Sequence, residues 1–375
     1  MSILPVQFGR SMIFHHHHHQ QQQQLMRRRR GRMSITPRAS RTQKIMENIS
    51  VTGEAGGAGG SYSYNTLKRL DQLWSNICLS DTRQPGDVVL DFSGSLSDVD
   101  MGNNRMSTFD VLVCGGTLGI FVATALISKG LKVGIVERNL LKGREQEWNI
   151  SRKELLELVQ VGILSEYDIE QATMAKFNPN RCGFEGKGDI WVEDILNLGI
   201  SPAKLIDSMK IRFTSLGGII FEGHGVDRIF VYDDRAIRSG KKPDGVCLVV
   251  GTCARGFKDN ITSDVIFSSS STKTVGDTKL QYFWEAFPAG SGSMDRTTYM
   301  FTYVEAKPGQ PKLEELLEDY WDLMPAYQGI DLEELEILRV IYGIFPTFRD
   351  RHNAGSPLTT LQEVVLDLDE EDTVE

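Results

Sequence analysis

The feature that most constrains this chain is a strand–turn–helix–strand unit across residues 109–137. Phe109–Val113 is a short apolar strand, Leu118–Ser128 has the texture of a helix closed by Gly130, and Leu131–Val136 is a second strand. Strand, helix and strand in so short a span make one parallel βαβ unit, the opening of a Rossmann-type dinucleotide-binding domain. The turn after the first strand reads Cys114-Gly115-Gly116-Thr117-Leu118-Gly119, followed by Ala123. Set against G-x-G-x-x-G-x-x-x-A, it keeps the second and third glycines and the alanine, and puts cysteine at the first glycine.

Each position has a mechanical reading. Gly116 leaves the backbone bare for a diphosphate, while Gly119 and Ala123 let the helix lie close against the strands. The helix N-terminus offers N–H groups and a partial positive charge to phosphate. Glu137 lies eighteen residues after Gly119, at the end of the second strand. There a carboxylate can accept from both ribose hydroxyls, which favours the unphosphorylated adenosine ribose of FAD or NAD over NADP. The candidate cofactor residues are therefore Gly115, Gly116, Thr117, Gly119, Glu137 and Arg138. The cysteine at position 114 gives the tight turn a Cβ and is expected to weaken binding.

Beyond this unit the sequence alternates helices and strands. Ser151–Glu154 and Ser165–Asp168 each set an acid three residues after a cap serine, so each opens a helix. Ser201-Pro202 opens a third, which ends at Gly217-Gly218. Residues 219–222 and 228–232 then read as strands. From Val246 the texture turns β-rich, with strands over 246–250, 264–268, 281–287 and 297–304. Two helices follow, over 312–323 and 332–342. The fold class expected is α/β: a Rossmann-type domain over 107–240 and a β-rich substrate-type domain over 241–348, both incomplete.

The ends of the chain differ in charge. The net charge of −9 disfavours nucleic-acid binding, which needs a basic surface. Residues 1–46 hold nine Arg or Lys and no acid, the bias of an organelle transit peptide, here read as a plastid one. His15–His19 reads as an engineered tag or, given the adjoining Gln20–Gln24, as a natural codon-repeat tract, and in neither case as a metal site. Residues 47–106 comprise a Gly/Ala linker, Gly53–Ser61, an amphipathic helix through Leu67, Leu70, Leu73, Trp74 and Ile77, and a polar connection. Residues 349–375 form an acidic tail expected to be disordered. No apolar stretch is long and uninterrupted enough for a transmembrane helix, which leaves room for peripheral membrane contact. The five cysteines show no C-x-x-C spacing and no disulfide framework.

Three stretches carry a resemblance: Gly115–Arg138, Trp148-Asn149-Ile150-Ser151-Arg152, and Phe177-Asn178-Pro179-Asn180-Arg181-Cys182-Gly183-Phe184. They resemble a plant and cyanobacterial group of FAD/NAD(P)-binding oxidoreductases described as lycopene beta/epsilon cyclase-like. Trp284-Glu285-Ala286-Phe287-Pro288-Ala289-Gly290 is similar to the W-x-F-P-x-G strand turn of more distant reductase relatives. The resemblance covers roughly residues 107–348 and implies FAD, a plastid location and an isoprenoid-like substrate. Two FAD-contacting segments of such flavoproteins, a D-G segment after Asp234 and a G-D segment after Asp350, have no counterpart here. Their absence implies weakened FAD binding and a shortened isoform. Two functions are thus expected: an FAD-dependent oxidoreductase or cyclase-like flavoprotein, or a catalytically incompetent binding or regulatory protein.

Other candidates read more plainly. His224, between glycines, is expected to be a loop residue. Glu285 has two readings: a carboxylate beside aromatic rings whose raised pKa lets it donate a proton to an isoprenoid double bond, or, as strand alternation favours, one that faces solvent while Trp284 and Phe287 pack in the core. Arg152 finds no acid three or four residues along its helix and is expected to be solvated. The acids Glu314–Glu318 and Glu333–Glu336 read as solvated helix faces.

Overall fold

A computed structural model describes residues 39–49, 60–79, 89–91, 108–226, 229–231, 245–276 and 278–347. In chain order the elements are α1 (Arg41–Asn48), α2 (Gly60–Leu79), β1 (Val89–Asp91), β2 (Val111–Cys114), α3 (Gly119–Ile127) and β3 (Val133–Val136). Next come β4 (Trp148–Ile150), α4 (Arg152–Gln160), α5 (Glu166–Ala172), β5 (Thr173–Lys176), β6 (Asn180–Phe184), β7 (Gly188–Val192) and β8 (Leu198–Ile200). The remainder is α6 (Pro202–Ser215), β9 (Ile219–Phe221), β10 (Ile229–Val231), β11 (Gly245–Arg255), β12 (Ser263–Val275), β13 (Thr278–Pro288), β14 (Asp295–Val304), α7 (Leu313–Gln328) and β15 (Glu336–Thr347).

As expected, the fold is α/β. Strands β2, β3 and β9 form a parallel sheet with β3 in the middle, and α3 crosses between the first two. The crossover ends where Gly130 adopts a φ of +85°, and its N–H bonds the Ile127 carbonyl at 2.9 Å. Ile120 and Ala123 of α3 pack with Ile135 of β3 and with Leu205, Met209 and Phe213 of α6. The cap serines open helices as read, though the Ser151 hydroxyl accepts from the Leu196 N–H and not from α4. Ser165 Oγ accepts from the Asp168 N–H while the Asp168 carboxylate accepts from the Ser165 N–H, and Glu154 accepts from the Ser151 N–H at 3.0 Å.

The β-rich half is a seven-stranded sheet in the order β15-β11-β14-β13-β12-β6-β7. Two of its strands, β6 and β7, come from residues 180–192, well before the change of texture at Val246. A small antiparallel sheet, β4-β8-β5, lies between the two large units in sequence, and β1 pairs with β10 apart from the rest. One face of the large sheet is roofed by α1, α2 and α7. Leu248, Trp284, Met300 and Val340 from the strands meet Met46, Leu67, Trp74, Leu317 and Trp321 from the helices.

Two expectations change here. Residues 336–347 form a strand, β15, and not the end of a helix; only Leu332–Glu334 coil, as a 3-10 turn. Arg339-Val340-Ile341-Tyr342 is β-branched and aromatic, and alternate residues face opposite sides: Val340 and Tyr342 join the helix-covered core while Ile341 joins a smaller cluster behind. The acids of α7 are also not simply solvated. Glu314 accepts from Ser40 Oγ, Tyr64 Oη and Lys68 Nζ, each at 2.8 Å, and Glu318 accepts from the Thr42 N–H at 2.9 Å. Burial alone would raise the Glu314 carboxyl, but these donors hold it below the usual range. A helix periodicity sees only its own helix; these partners come from more than two hundred residues away.

Asp71 of α2 is buried at 2 % exposure, and its carboxylate caps α7 by accepting from the Leu313 N–H at 2.7 Å and the Glu314 N–H at 3.3 Å. Asp71→Ala removes a cap and leaves buried donors unpaired, so it should destabilise the full chain by about 1–3 kcal/mol in urea denaturation. An unchanged midpoint would show that α7 needs no cap from α2.

Candidate functional site

The end of β2, the start of α3 and the tip of β3 meet at one point. The Gly115 N–H continues the ladder to the Val136 carbonyl at 2.9 Å. Gly115 itself sits at φ +95°, a conformation glycine adopts without strain, and a Cβ there would meet nothing within 4 Å. The exposed side of the turn is therefore at Gly115 and its neighbour Cys114, which is also exposed.

Glu137 turns inward to the same turn. Its Oε2 accepts from the Gly116 N–H at 2.8 Å, and its Oε1 accepts from the Asn139 N–H at 3.3 Å. Its backbone is held on the other side by β9 and the loop after it: the Glu137 N–H donates to Phe221 O, and the His224 N–H donates to Glu137 O, both at 2.9 Å. The carboxylate that sequence spacing assigned to a ribose thus stands against the glycine turn. Thr117 is half-buried at the helix entry, and Arg138 is exposed just past the strand.

The glycines divide their work differently from the sequence reading. A Cβ on Gly119 would lie 2.6 Å from Val113 Cγ1, so this residue is small to let the helix rest on the strand, as expected. Ala123 does the same, fully buried. Gly116, read as bare for a diphosphate, is bare for the chain itself. A Cβ there would lie 2.6 Å from Leu141 Cδ1 and 3.2 Å from Ile135 Cγ2. Leu141 is fixed in place because its N–H donates to Glu222 Oε1 at 2.8 Å and its carbonyl accepts from Lys210 Nζ at 2.7 Å. The signal that could have revealed this, an apolar residue four positions beyond Glu137, is too common to stand out.

A second polar group lies on the face of the large sheet opposite the helices. Trp284 points to the helices and stacks on Tyr327 with centroids 4.6 Å apart. Glu285 and Phe287 point the other way, and Phe287 is also buried, stacked on Phe177 at 5.8 Å. Glu285 does not face solvent as expected. Asn149 of β4 covers it and donates from Nδ2 at 2.8 Å, and burial lifts the carboxyl above its ordinary value. Asn149 Oδ1 is buried with no partner. Beside them, Glu147 accepts from the Gly290 N–H at 2.9 Å, Gln146 donates to Thr297 Oγ1 at 2.8 Å, and Arg339 donates to Gln146 Oε1 at 3.2 Å. Farther along the same face Phe283 stacks on Phe301 at 5.7 Å, and Tyr303 stands exposed beside both.

The remaining candidates are placed as follows. His224 is an exposed loop residue whose Nδ1 lies 2.6 Å from the Glu222 carbonyl. Arg152 is paired, contrary to expectation: it donates to Glu170 at 2.6 Å and approaches Glu166 at 3.5 Å, both on α5. Among the described residues no His, Cys, Asp and Glu group could hold a metal ion.

No family model matches the chain, and no curated protein matches it. Among solved structures it is similar to the flavin-dependent brominase Bmp2, at 13 % identity and a TM-score of 0.40 over 64 % of this chain and 70 % of that one. It is similar to the myxobacterial chondrochloren halogenase CndH, an FAD-dependent halogenase, at 13 % identity and a TM-score of 0.42 over 64 % and 66 %. It is also similar to aklavinone-11 hydroxylase, solved with FAD and aklavinone, at 13 % identity and a TM-score of 0.41 over 64 % and 54 %.

Two predictions follow from this packing. Gly116→Ala should lower stability by about 1–3 kcal/mol through overpacking against Leu141, and adding Leu141→Ala should relieve the clash so that the double variant loses less than the two single losses summed. Additive losses in urea denaturation would show the two side chains do not meet. For Glu285, a folded pKa raised above the ordinary 4.5 means the folded state binds its proton more tightly, so stability falls as pH rises from 4.5 through the folded value. Glu285→Gln should therefore stabilise the chain at neutral pH and make no difference below the ordinary glutamate range, read by denaturation at both.

Proposed function

We propose that the glycine turn holds the diphosphate of FAD and that the chain is an FAD-dependent oxidoreductase or cyclase-like flavoprotein acting on an isoprenoid-like, apolar substrate. The observation that carries this is the Glu137–Gly116 hydrogen bond, because it puts a carboxylate, a bare glycine turn and a helix N-terminus within one bond of each other at the ends of parallel strands. Gly115 leaves the outer side of the turn open, and α3 opens at Gly119 with its positive dipole end toward the place a phosphate would take. Glu137 keeps further lone pairs for ribose hydroxyls, and Arg138 is exposed nearby for the phosphates or adenine. Bound FAD would supply the electron-transfer chemistry; the protein's part is to bind and orient it.

The apolar substrate is supported by the aromatic sheet face at Phe283, Phe301, Tyr303 and Phe345. Among the described residues no helix is long and apolar enough to cross a membrane, and exposed apolar side chains such as Phe345 and Tyr303 suit peripheral contact with one. The acid-free, arginine-bearing start of the chain supports a plastid location.

One observation favours the second reading, a nucleotide-free binding or regulatory protein. Leu141 occupies the side of Gly116 that the motif reserves for phosphate, and both Glu137 oxygens already accept backbone N–H groups. The visible spectrum of the purified full chain separates the two. Flavin bands at one equivalent, weakened about tenfold or more in affinity by Glu137→Ala, match the loss of a charged hydrogen-bond acceptor. A colourless chain that takes up no added FAD overturns the flavoprotein reading and leaves the regulatory one.

A further inference from the structure

The hairpin of β6 and β7 forms one edge of the large sheet. β6 holds the inner side of β7, and among the described residues no strand lies along its outer side. Such an edge presents a row of N–H and C=O groups that another strand can pair with, and proteins commonly blunt it with proline, a bulge or a covering helix. β7, Gly188-Asp189-Ile190-Trp191-Val192, has no proline, and its register with β6 runs without a bulge. Its apolar side chains stand in the open: Ile190 is 69 % exposed and Trp191 52 %, and Phe184 on β6 is 57 % exposed. Phe184 pairs with Gly188 and Cys182 with Ile190, so Phe184 and Ile190 share a face. Large apolar groups gathered in this way mark an interaction surface.

Both ends of the strand are already fixed. At the turn, the Lys187 N–H donates to the Phe184 carbonyl and the Glu185 N–H to the Ser268 carbonyl of β12, both at 2.9 Å. Past the other end, Asn178 Oδ1 accepts from the Asp194 N–H at 3.1 Å, and the buried Asn180 donates from Nδ2 to the Ile195 carbonyl at 2.5 Å. Arg181 approaches the Asp189 carboxylate at 3.6 Å. A partner therefore meets a strand that needs no ordering on contact, which removes one cost of association. Lys187 and Glu193, which flank β7, are exposed and form no ion pair among the described residues.

We infer that β7 pairs antiparallel with β7 of a second copy, about a two-fold axis through Ile190, so that one sheet runs through both molecules. Charge selects this partner and this register. Directly opposed residues of an antiparallel ladder share a face, so a two-fold axis that keeps the sheet continuous must pass through a residue paired with its own copy. Centred on Asp189, the ladder sets that carboxylate against itself; centred on Trp191, it sets Asp189 against Glu193; like charges so opposed are unfavourable. Centred on Ile190, it pairs the whole strand, Gly188 opposite Val192 and Asp189 opposite Trp191, and puts Lys187 of each copy opposite Glu193 of the other. Ile190 then meets Ile190, with Phe184 of each copy on the same face. One strand pair of this length buries less than the roughly 800 Å² per partner of a standard interface, so the dimer is a reversible one in the micromolar range. The inference uses neither the glycine turn nor Glu137 and stands apart from the dinucleotide reading.

The test is sedimentation equilibrium of the full chain between about 1 and 200 μM, where wild type should pass from monomer towards dimer mass. Ile190→Lys sets two cations face to face on the axis and should leave a monomer throughout. Lys187→Glu opposes acids at both ends of the ladder and should weaken dimerisation roughly tenfold, since the axis counts one substitution twice; Glu193→Lys should do the same. Combining Lys187→Glu with Glu193→Lys rebuilds both pairs with the signs exchanged and should restore the wild-type constant. All three positions are exposed, so a general effect on folding would not be undone by the second charge reversal. The proposal is overturned if wild type stays monomeric, if Ile190→Lys dimerises as wild type does, if the double reversal is no better than the single ones, or if the association runs past the dimer, as pairing of β7 with a different edge would.

Discussion

The structure depends on a short polar seam. Residues 146–150 leave the parallel half and dock on the unroofed face of the large sheet, where Glu147 takes the Gly290 N–H, Gln146 spans Thr297 and Arg339, and Asn149 covers Glu285. Polar groups this deep are costly unless paired, and nearly all of them here are paired across the seam. The arrangement therefore fixes the two halves in one register more sharply than apolar contact could, because a sliding apolar surface stays buried whereas a displaced carboxylate loses its donor. Asn149 Oδ1, buried without a partner, is the one acceptor in this seam whose donor is absent.

How much of this was legible in the sequence follows from the range of each interaction. The βαβ unit, the two acid-closed helix starts and the Ser201-Pro202 entry were all readable, since each depends on residues within a few positions of one another. The small glycine at 119 was readable for the same reason. What was not readable came from across the chain. Residues 332–342 read as a helix because Leu332–Leu335 set a helical spacing just before an alternating run, and only pairing with β11 decides between helix and strand. Arg152 and Glu314 looked solvated because their partners lie on other helices. Glu285 looked exposed because alternation tells which residues share a face but not whether that face is covered.

Gly116 is the instructive case at the candidate site. A glycine in a phosphate-binding pattern has two physical explanations, a ligand that comes close or a side chain that does, and the pattern cannot distinguish them. Here the neighbour is Leu141, pinned at both its N–H and its carbonyl by Glu222 and Lys210. The open surface of the turn shifts one residue back, to Gly115. Glu137 stands at the tip of β3, and its bond to the Gly116 N–H ties this carboxylate to the turn.

The first helix limits how far the chain can be shortened from its start without opening the fold. Thr42 and Met46 of α1 are fully buried, Trp321 donates to Thr42 Oγ1 at 3.0 Å, and Ser40 both caps α1 and bonds Glu314. A protease that trimmed the chain beyond Ser40 would strip a plug from the roof over the large sheet, and losing the Met46 side chain alone would cost about 2–5 kcal/mol. A cut that leaves this roof intact therefore has to fall upstream of Ser40, because everything from Ser40 onward in α1 is tied to α7 and the sheet behind it.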